Sequence, residues 1–321
     1  MDSWYIASDL IHTTFVFSTA LMFGALGGLY SERSGVVNIA LEGMMTIGAF
    51  TAAVVTFFAN EAMGGSAWSP WIGFVSAIVA GALFALPHAV ASITYKADQT
   101  VSGVALNFLA LGLGIYLTKQ LFHGAAQTEN LQYRLTKIDI PLLADIPFFG
   151  YAFFRAYPTT YIVLALGGLT WYMLFKTPWG LRLRAVGEHP RAADTAGVSV
   201  TAVRYIAVMA SGSFAAMGGA TIALTTTGSF SHTTVVGQGF IALAALIFGK
   251  WHPFGAMAAA FFFGIATSVK FVLQTAGLAN AVPVDIIFML PYILTLIVLV
   301  AFVGRATAPA SLGVPYSKGT R

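Results

Sequence analysis

Nine apolar stretches, separated by short turn-rich breaks, constrain the fold of this chain more than any other feature. They cover residues 8–30, 38–59, 71–90, 100–121, 158–176, 203–225, 239–249, 254–273 and 284–303. A membrane-spanning helix needs about 20 apolar residues, so most of these stretches can cross a bilayer. Only 9% of the residues are charged, whereas soluble domains contain about 25%. We therefore predict one all-α, polytopic membrane domain over residues 1–321, with about eight to ten transmembrane helices.

The seventh stretch, residues 239–249, is too short to span a bilayer and indicates half of an interrupted helix. It overlaps the sequence Gly237-Gln-Gly-Phe-Ile-Ala-Leu, which echoes Gly35-Val-Val-Asn-Ile-Ala-Leu near the start of the chain. When the crossings are counted along the chain, the two copies enter the membrane from opposite sides. This pattern predicts an inverted repeat with interrupted helices, which is typical of transporters whose site lies near the midplane.

The segment 177–203 follows the fifth stretch and has the densest charge in the chain. If it is cytoplasmic, eleven of the 16 basic residues fall on that side: Arg33, Lys96, Lys176, Arg182, Arg184, Arg191, Arg204, Lys250, Arg305, Lys318 and Arg321. This bias predicts an N-terminus outside and a C-terminus inside the cell. Because the basic residues are scattered and form no stripe, nucleic-acid binding is not indicated.

Catalytic signatures are missing from the sequence. It contains no Gly-x-x-x-x-Gly-Lys-Ser/Thr loop for ATP phosphates and no Gly-x-Ser-x-Gly nucleophile turn. There is no cysteine, and the six histidines never occur at the i, i+4 spacing of a helical metal site. We therefore predict a transport protein that is not an enzyme and has no metal site or cofactor of its own, so any ATP is handled by a partner.

Two polar residues mark the start of the second stretch. Glu42 lies in apolar sequence, where an ionised carboxylate costs about 3 kcal/mol, so it needs a specific role. It could line a transport path or orient a loop at the site, or it could cap the backbone near Arg33 and Ser34 or pair with Arg33. Asn38 fits the N-cap position of the following helix and could also offer its amide to a substrate.

Four further residues are candidates for lining a path. Asn107 and Gln238 are polar groups in or beside apolar stretches, although hydrogen bonding between helices is an alternative role for them. Phe108 and Phe240 have polar neighbours and could stack against a planar solute.

Four segments resemble the permeases of nucleoside and simple-sugar ABC importers, within the larger group that includes ribose and branched-chain amino acid permeases. The most specific is Ser-Glu-Arg-Ser-Gly-Val-Val-Asn-Ile-Ala-Leu-Glu-Gly-Met-Met at residues 31–45. The others lie at residues 99–107, 180–197 and 237–249. The resemblance covers nearly the whole chain, and the segment 123–158 is the least similar part.

The resemblance implies a multi-pass subunit in the cytoplasmic membrane of a bacterium. Its expected partners are a second, homologous permease, a cytoplasmic ATPase that binds ATP-Mg, and an extracytoplasmic substrate-binding protein. By similarity, residues 188–197 would be the coupling helix that docks on the ATPase. The residues expected to serve this coupling are Arg184, Glu188, His189, Arg191, Asp194 and Gly197.

The form of the first motif favours nucleosides as the substrate. A neutral, planar, hydrogen-bonding solute suits a lining of amides and aromatic rings, whereas an amino acid needs partners for its ammonium and carboxylate. Glu42 could bind that ammonium, so a branched-chain amino acid permease stays open, as does a ribose-type sugar permease. An ATP-independent carrier or channel is an alternative from a different class.

Overall fold

The computed structural model describes residues 3–144, 146–275 and 307–318, together with the isolated positions 289 and 293. Its α-helices are α1 (Ser3–Arg33), α2 (Leu41–Ala62), α3 (Ser69–Ala89), α4 (Gln99–Leu121), α5 (Phe149–Phe153), α6 (Pro158–Lys176), α7 (Pro178–Glu188), α8 (Pro190–Thr195), α9 (Val200–Thr221), α10 (Gln238–Phe248) and α11 (Pro253–Thr275). Single π-helical turns extend α3 over Val90–Thr94 and α9 over Ile222–Thr227. Two short antiparallel strands, β1 (Ile138–Asp139) and β2 (Arg155–Ala156), pair in the 123–158 segment.

The first eight apolar stretches all coincide with helices, which confirms the predicted all-α, polytopic membrane fold. Six helices in the described ranges are long and apolar enough to cross a membrane: α1, α2, α3, α4, α6 and α9. The seventh stretch forms α10, a helix of 11 residues, in agreement with the predicted half-helix. The ninth stretch, residues 284–303, lies outside the described residues except at positions 289 and 293.

Helices α1, α2 and α9 form the centre of the molecule, and α3, α4 and α6 expose much of their apolar surface. Glycines let the central helices approach closely, because their backbones touch where a side chain would separate them. A Cβ at Gly48 would collide with the backbone of Ala216, and one at Gly219 would collide with the carbonyl oxygen of Met45. The α2–α9 contact therefore requires glycine on both helices.

The two ends of the bundle differ in charge. At one end, called the basic end here, the end of α1, the α3–α4 loop, α7, α8, the α10–α11 turn and residues 307–318 meet. At the opposite end, residues 128–135 bond to the end of α9 and the loop after it, through Thr128 N to Phe230 O (2.9 Å) and Leu131 N to Gly228 O (2.8 Å). The long 123–158 segment thus covers the end opposite the basic end.

Candidate translocation and coupling sites

Helices α2 and α10 begin without a capping side chain from their own N-cap residue, as do α3, α5, α6 and α8. By contrast, α4, α7 and α9 begin at the basic end and are capped by Asp98, Thr177 and Ser199. The first N–H groups of a helix have no partner within it, and inside a membrane no water can replace the cap. The starts of α2 and α10 therefore need partners from other helices.

Glu42 of α2 provides the partner for α10. Its Oε1 accepts a hydrogen bond from Gly237 N at 2.6 Å, and its Oε2 accepts one from Gly239 N at 2.7 Å. A carboxylate is favoured at a helix N-terminus because it makes charge-assisted bonds and faces the positive end of the helix dipole. Glu42 thus joins the first and second copies of the repeated sequence.

Glycines in the second copy make this contact possible. Gly237 has a φ of +80°, a left-handed conformation that favours glycine. A Cβ on Gly239 would collide with the backbone of Glu42. The Gly-x-Gly at residues 237–239 is therefore a steric requirement for the approach of α2 and α10.

Asn107 of α4 caps the start of α2, just as Glu42 caps the start of α10. Its Oδ1 accepts from Gly43 N at 2.8 Å, and its Nδ2 donates to Ile39 O at 3.0 Å. One amide thus satisfies a free N–H in the first turn of α2 and a carbonyl just before it. The two contacts form a chain in which α4 caps α2 and α2 caps α10. We call Glu42, Asn107 and their backbone partners the cap chain.

The cap chain lies well inside the bundle. The turn after α10 is held at the basic end, because Trp251 O accepts from Arg33 Nε at 2.8 Å and Trp251 Nε1 donates to Glu32 Oε2 at 2.6 Å. At about 1.5 Å of rise per residue, the 11 residues of α10 cover about 16 Å. This is half of a hydrocarbon core of about 30 Å. The start of α10 therefore lies near mid-depth, where the two copies meet from opposite ends of the bundle.

The structure corrects two expectations about the first motif. Asn38 is not the N-cap of α2, because its Oδ1 accepts from Ala40 N at 3.1 Å and forms a turn that delays the helix until Leu41. Its Nδ2 donates to Ser211 Oγ at 2.7 Å, and the side chain is fully buried. The expectation that Glu42 caps the backbone near Arg33 or pairs with it is also wrong, since the cap is made to α10.

The other three candidates are distributed around the start of α10 and on α4. Gln238 lines a small cavity with residues of α1 and of α9 and its π-helical turn: Val16, Phe17, Ala20, Thr221, Ile222 and Thr226. Phe240 follows the capped turn and is 48% exposed, whereas Phe108 is 71% exposed on α4. The cap chain thus includes Glu42 and Asn107, with Gln238 and Phe240 beside its α10 end, while Phe108 lies on exposed surface. Their contact with a substrate stays a prediction.

Sequence reasoning missed a buried arginine at the basic end. Arg204 of α9 is 1% exposed and donates from Nε to Ser34 O at 3.1 Å and from Nη1 to Val314 O at 3.2 Å. It also lies against Gly35, whose φ is +90°. Two sequence features point to this site: Arg204 lies inside an apolar stretch, and its partner Ser34 belongs to the specific Glu-Arg-Ser-Gly motif. Neither feature indicates its partner, because the bonds are to backbone carbonyls.

The segment 177–203, called the coupling segment here, contains α7 and the short α8 and lies at the basic end. Pro190 opens α8, Ala193 is its buried contact, and Gly197 ends the turn after it with a φ of +82°. His189, Arg191 and Gly197 are exposed, Arg184, Glu188 and Asp194 are partly exposed, and the Arg184 guanidinium lies 4.9 Å from the centre of the Phe175 ring. The predicted coupling residues therefore surround one surface helix.

No group of three His, Asp or Glu side chains in the described ranges could hold a metal ion. Glu42 and Asn107 instead bond to the starts of α10 and α2.

A sequence profile described as "Branched-chain amino acid transport system / permease component" matches residues 10–303. The chain belongs to this family. As a member of this permease family, it is a multi-pass membrane protein and a transport subunit, which confirms both predictions.

Three curated permease proteins are similar to this chain over most of their length. The guanosine ABC transporter permease protein NupQ of Bacillus subtilis is 50% identical, and the alignment covers 100% of each chain. The nucleoside ABC transporter permease protein NupC of Lactococcus lactis is 43% identical over 96% of each chain. The putative glucose ABC transporter permease protein TsgC13 of Haloferax volcanii is 34% identical over 85% of this chain and 80% of its own length.

Proposed function

We propose that this chain is the membrane-spanning subunit of an ATP-driven importer that carries nucleosides into the cytoplasm of a bacterium. The observation that carries the transport part is the meeting of α2 and α10 at Glu42, near mid-depth. Interrupted helices at a repeat interface are the usual place for a solute site in transporters. The names of the two relatives that are 50% and 43% identical support nucleosides as the substrate class.

The hydrogen bonds that Glu42 already accepts favour a neutral solute over an amino acid. An amino acid needs a carboxylate for its ammonium group, and both oxygens of Glu42 accept hydrogen bonds from α10. A nucleoside needs hydrogen-bonding groups and an apolar surface for its base, which Gln238 and the half-exposed ring of Phe240 could offer. A sugar is the second candidate, because one relative is named a putative glucose permease.

The partners follow from the same proposal. A cytoplasmic ATPase would bind ATP-Mg and dock on α8, which presents exposed His189 and Arg191 at the basic end. A second, homologous permease would complete the path, and an extracytoplasmic binding protein would deliver the solute to the opposite end. Closure of the ATPase pair would push α8 and rock the permease halves between outward-open and inward-open states. The chain itself breaks no covalent bond.

Uptake of radiolabelled uridine and adenosine tests the proposal directly. Cells that express the chain with its partners are compared with cells that lack only this chain, and unlabelled nucleosides, ribose, glucose and leucine compete with the label. We expect uptake to depend on the chain and only nucleosides to compete. Competition by a sugar or by leucine would move the substrate to that class, and uptake that persists without the ATPase would contradict an ATP-driven importer.

Charge reversal on α8 tests the coupling role. Arg191→Glu is expected to lower uptake about tenfold, because a reversed charge at an interface costs a few kcal/mol and each 1.4 kcal/mol is a factor of ten. Arg182→Glu is the matched control, since Arg182 is also exposed but lies on α7. The measurement is uptake together with the amount of chain in the membrane. Equal uptake in both variants would remove Arg191 from the ATPase contact.

A further inference from the structure

Residues 307–318, called the C-terminal tail here, lie across the basic end and contact elements far apart in the sequence. Leu312 and Tyr316 pack against the main apolar core. Near the end of the tail, Lys96 Nζ of the α3–α4 loop donates to Ser317 Oγ at 2.9 Å. The tail is thus held on the body of the protein by apolar contacts and by hydrogen bonds.

One part of the tail is bound to the coupling segment. Ser311 N donates to Gly187 O at 2.9 Å, and Ser311 Oγ donates to Glu188 O at 3.1 Å. Ala310 N donates to the Glu188 carboxylate at 3.1 Å. The Tyr316 hydroxyl lies near the Asp194 carboxylate on α8. Desolvation and this carboxylate raise the pKa of Tyr316.

The next part of the tail is bound to the turn that precedes α2. Gly313 N donates to Gly35 O at 3.1 Å. The adjacent Val314 O accepts from buried Arg204, which also donates to Ser34 O. Two consecutive tail residues are therefore fastened to the turn at residues 34–35, six residues before α2 begins.

The direct contact between the coupling segment and this turn is of another kind. Gly187 touches the carbonyl oxygen of Arg33 so closely that a Cβ would collide with it. Within the described ranges, however, no hydrogen bond joins α7 or α8 to residues 31–35. The dispersion attraction in such a contact is only about 0.1–0.2 kcal/mol for each atom pair, and the charge attraction between Glu188 and Arg33 adds to it. The tail supplies the hydrogen bonds that hold the two elements together.

We propose that the C-terminal tail fastens the end of α7, directly before α8, to the Gly35 turn and so transmits the movement of α8 to α2 and the cap chain. This role rests on the proposed function, because it assumes that an ATPase moves α8. The packed contact at Gly187 transmits a push toward the bundle. The hydrogen bonds of the tail strengthen the weaker attractions across that contact and so support the return movement, which is needed to complete each transport cycle.

Substitution at Gly313 tests the tail without removing any element of the fold. Gly313 has a φ of +77°, where a β-branched residue is strained, so Gly313→Val displaces the bond to Gly35. We expect uptake per ATP hydrolysed to fall about tenfold, with the ATPase still bound and active. The matched control is Gly124→Val, because Gly124 has a φ of +87° and open space around it, and lies after α4, away from the basic end.

A chain that stops after residue 306 gives an independent second test. We expect it to enter the membrane and to co-purify with the ATPase and the second permease, while hydrolysing ATP without uptake. Unchanged uptake in this variant or in Gly313→Val would overturn the proposal. Loss of ATPase binding on truncation would also overturn it, since the tail would then be a docking element and not a transmitting one.

The readout separates this proposal from the proposed function. The ratio of uptake to ATP hydrolysis is measured with whichever solute the unmodified chain transports. Failure of the unmodified chain to transport nucleosides counts against the substrate assignment alone. An unchanged ratio in Gly313→Val, beside an unmodified chain that transports, counts against the tail alone.

Discussion

Glu42→Ala is expected to lower uptake strongly in a chain that still reaches the membrane. The substitution leaves the N–H groups of Gly237 and Gly239 without acceptors in an apolar interior. Each buried donor that loses its partner costs about 1–3 kcal/mol, so the start of α10 loses about 2–6 kcal/mol. We expect uptake below about one tenth of the unmodified value. The measurement is initial uptake rate, normalised to the amount of chain in the membrane.

Glu61→Ala is the matched control for this prediction. Glu61 lies on the same helix, near its other end, and is exposed. Its removal changes the charge of α2 equally and leaves the cap chain intact, so uptake should be retained. Glu42→Gln should fall between the two, because a neutral amide keeps one acceptor oxygen. Equal uptake in Glu42→Ala and Glu61→Ala would show that the capping bonds are not needed for transport.

Gly219→Leu is expected to prevent the chain from folding. A Cβ at this position collides with the Met45 carbonyl, and the backbones of α2 and α9 cannot both keep their places. Overpacking of a dense interior costs about 1–3 kcal/mol, and more when the collision is with backbone that cannot rotate away. We expect the yield of folded, monodisperse protein in detergent to fall about tenfold. Size-exclusion chromatography after heating measures it.

Gly112→Leu provides the comparison for Gly219→Leu. Gly112 also lies within a transmembrane helix, α4, but it is exposed and nothing lies near the position of its missing Cβ. The same change there adds apolar surface without a collision, and normal yield is expected. Similar losses in both variants would show that leucine is harmful at either site for a reason other than the α2–α9 contact.

The helices were predictable from the sequence because hydropathy alone decides which segments enter a bilayer. Even the half-helix α10 followed from the length of its apolar stretch. The partner of Glu42 did not, because the bond joins residues 195 positions apart and its donors are backbone groups that leave no mark in side-chain chemistry. The sequence selected Glu42 and Asn107 as unusual and could not give their geometry.

The position of the C-terminal tail at the basic end could not be predicted from the sequence either. Its sequence, from Thr307 to Lys318, has no periodic apolar pattern and one charged residue, so composition predicts only a loop. Its place depends on backbone N–H and C=O groups that bond to Gly35, Gly187 and Arg204. Two features distinguish it from an ordinary tail. Gly313 has a left-handed φ, and the side chains of Leu312 and Tyr316 are partly buried.

The cap chain also restricts how this molecule can change shape. Separating α2 from α10, or α4 from α2, would expose bare N–H groups where no water is available to replace their acceptors. Rearrangements that keep these bonds avoid that cost, so the helices should swing around Glu42 and Asn107 while the ends of the bundle travel further. The two polar side chains then lie at the pivot of the movement, and both ends of the bundle are displaced more than the pivot is.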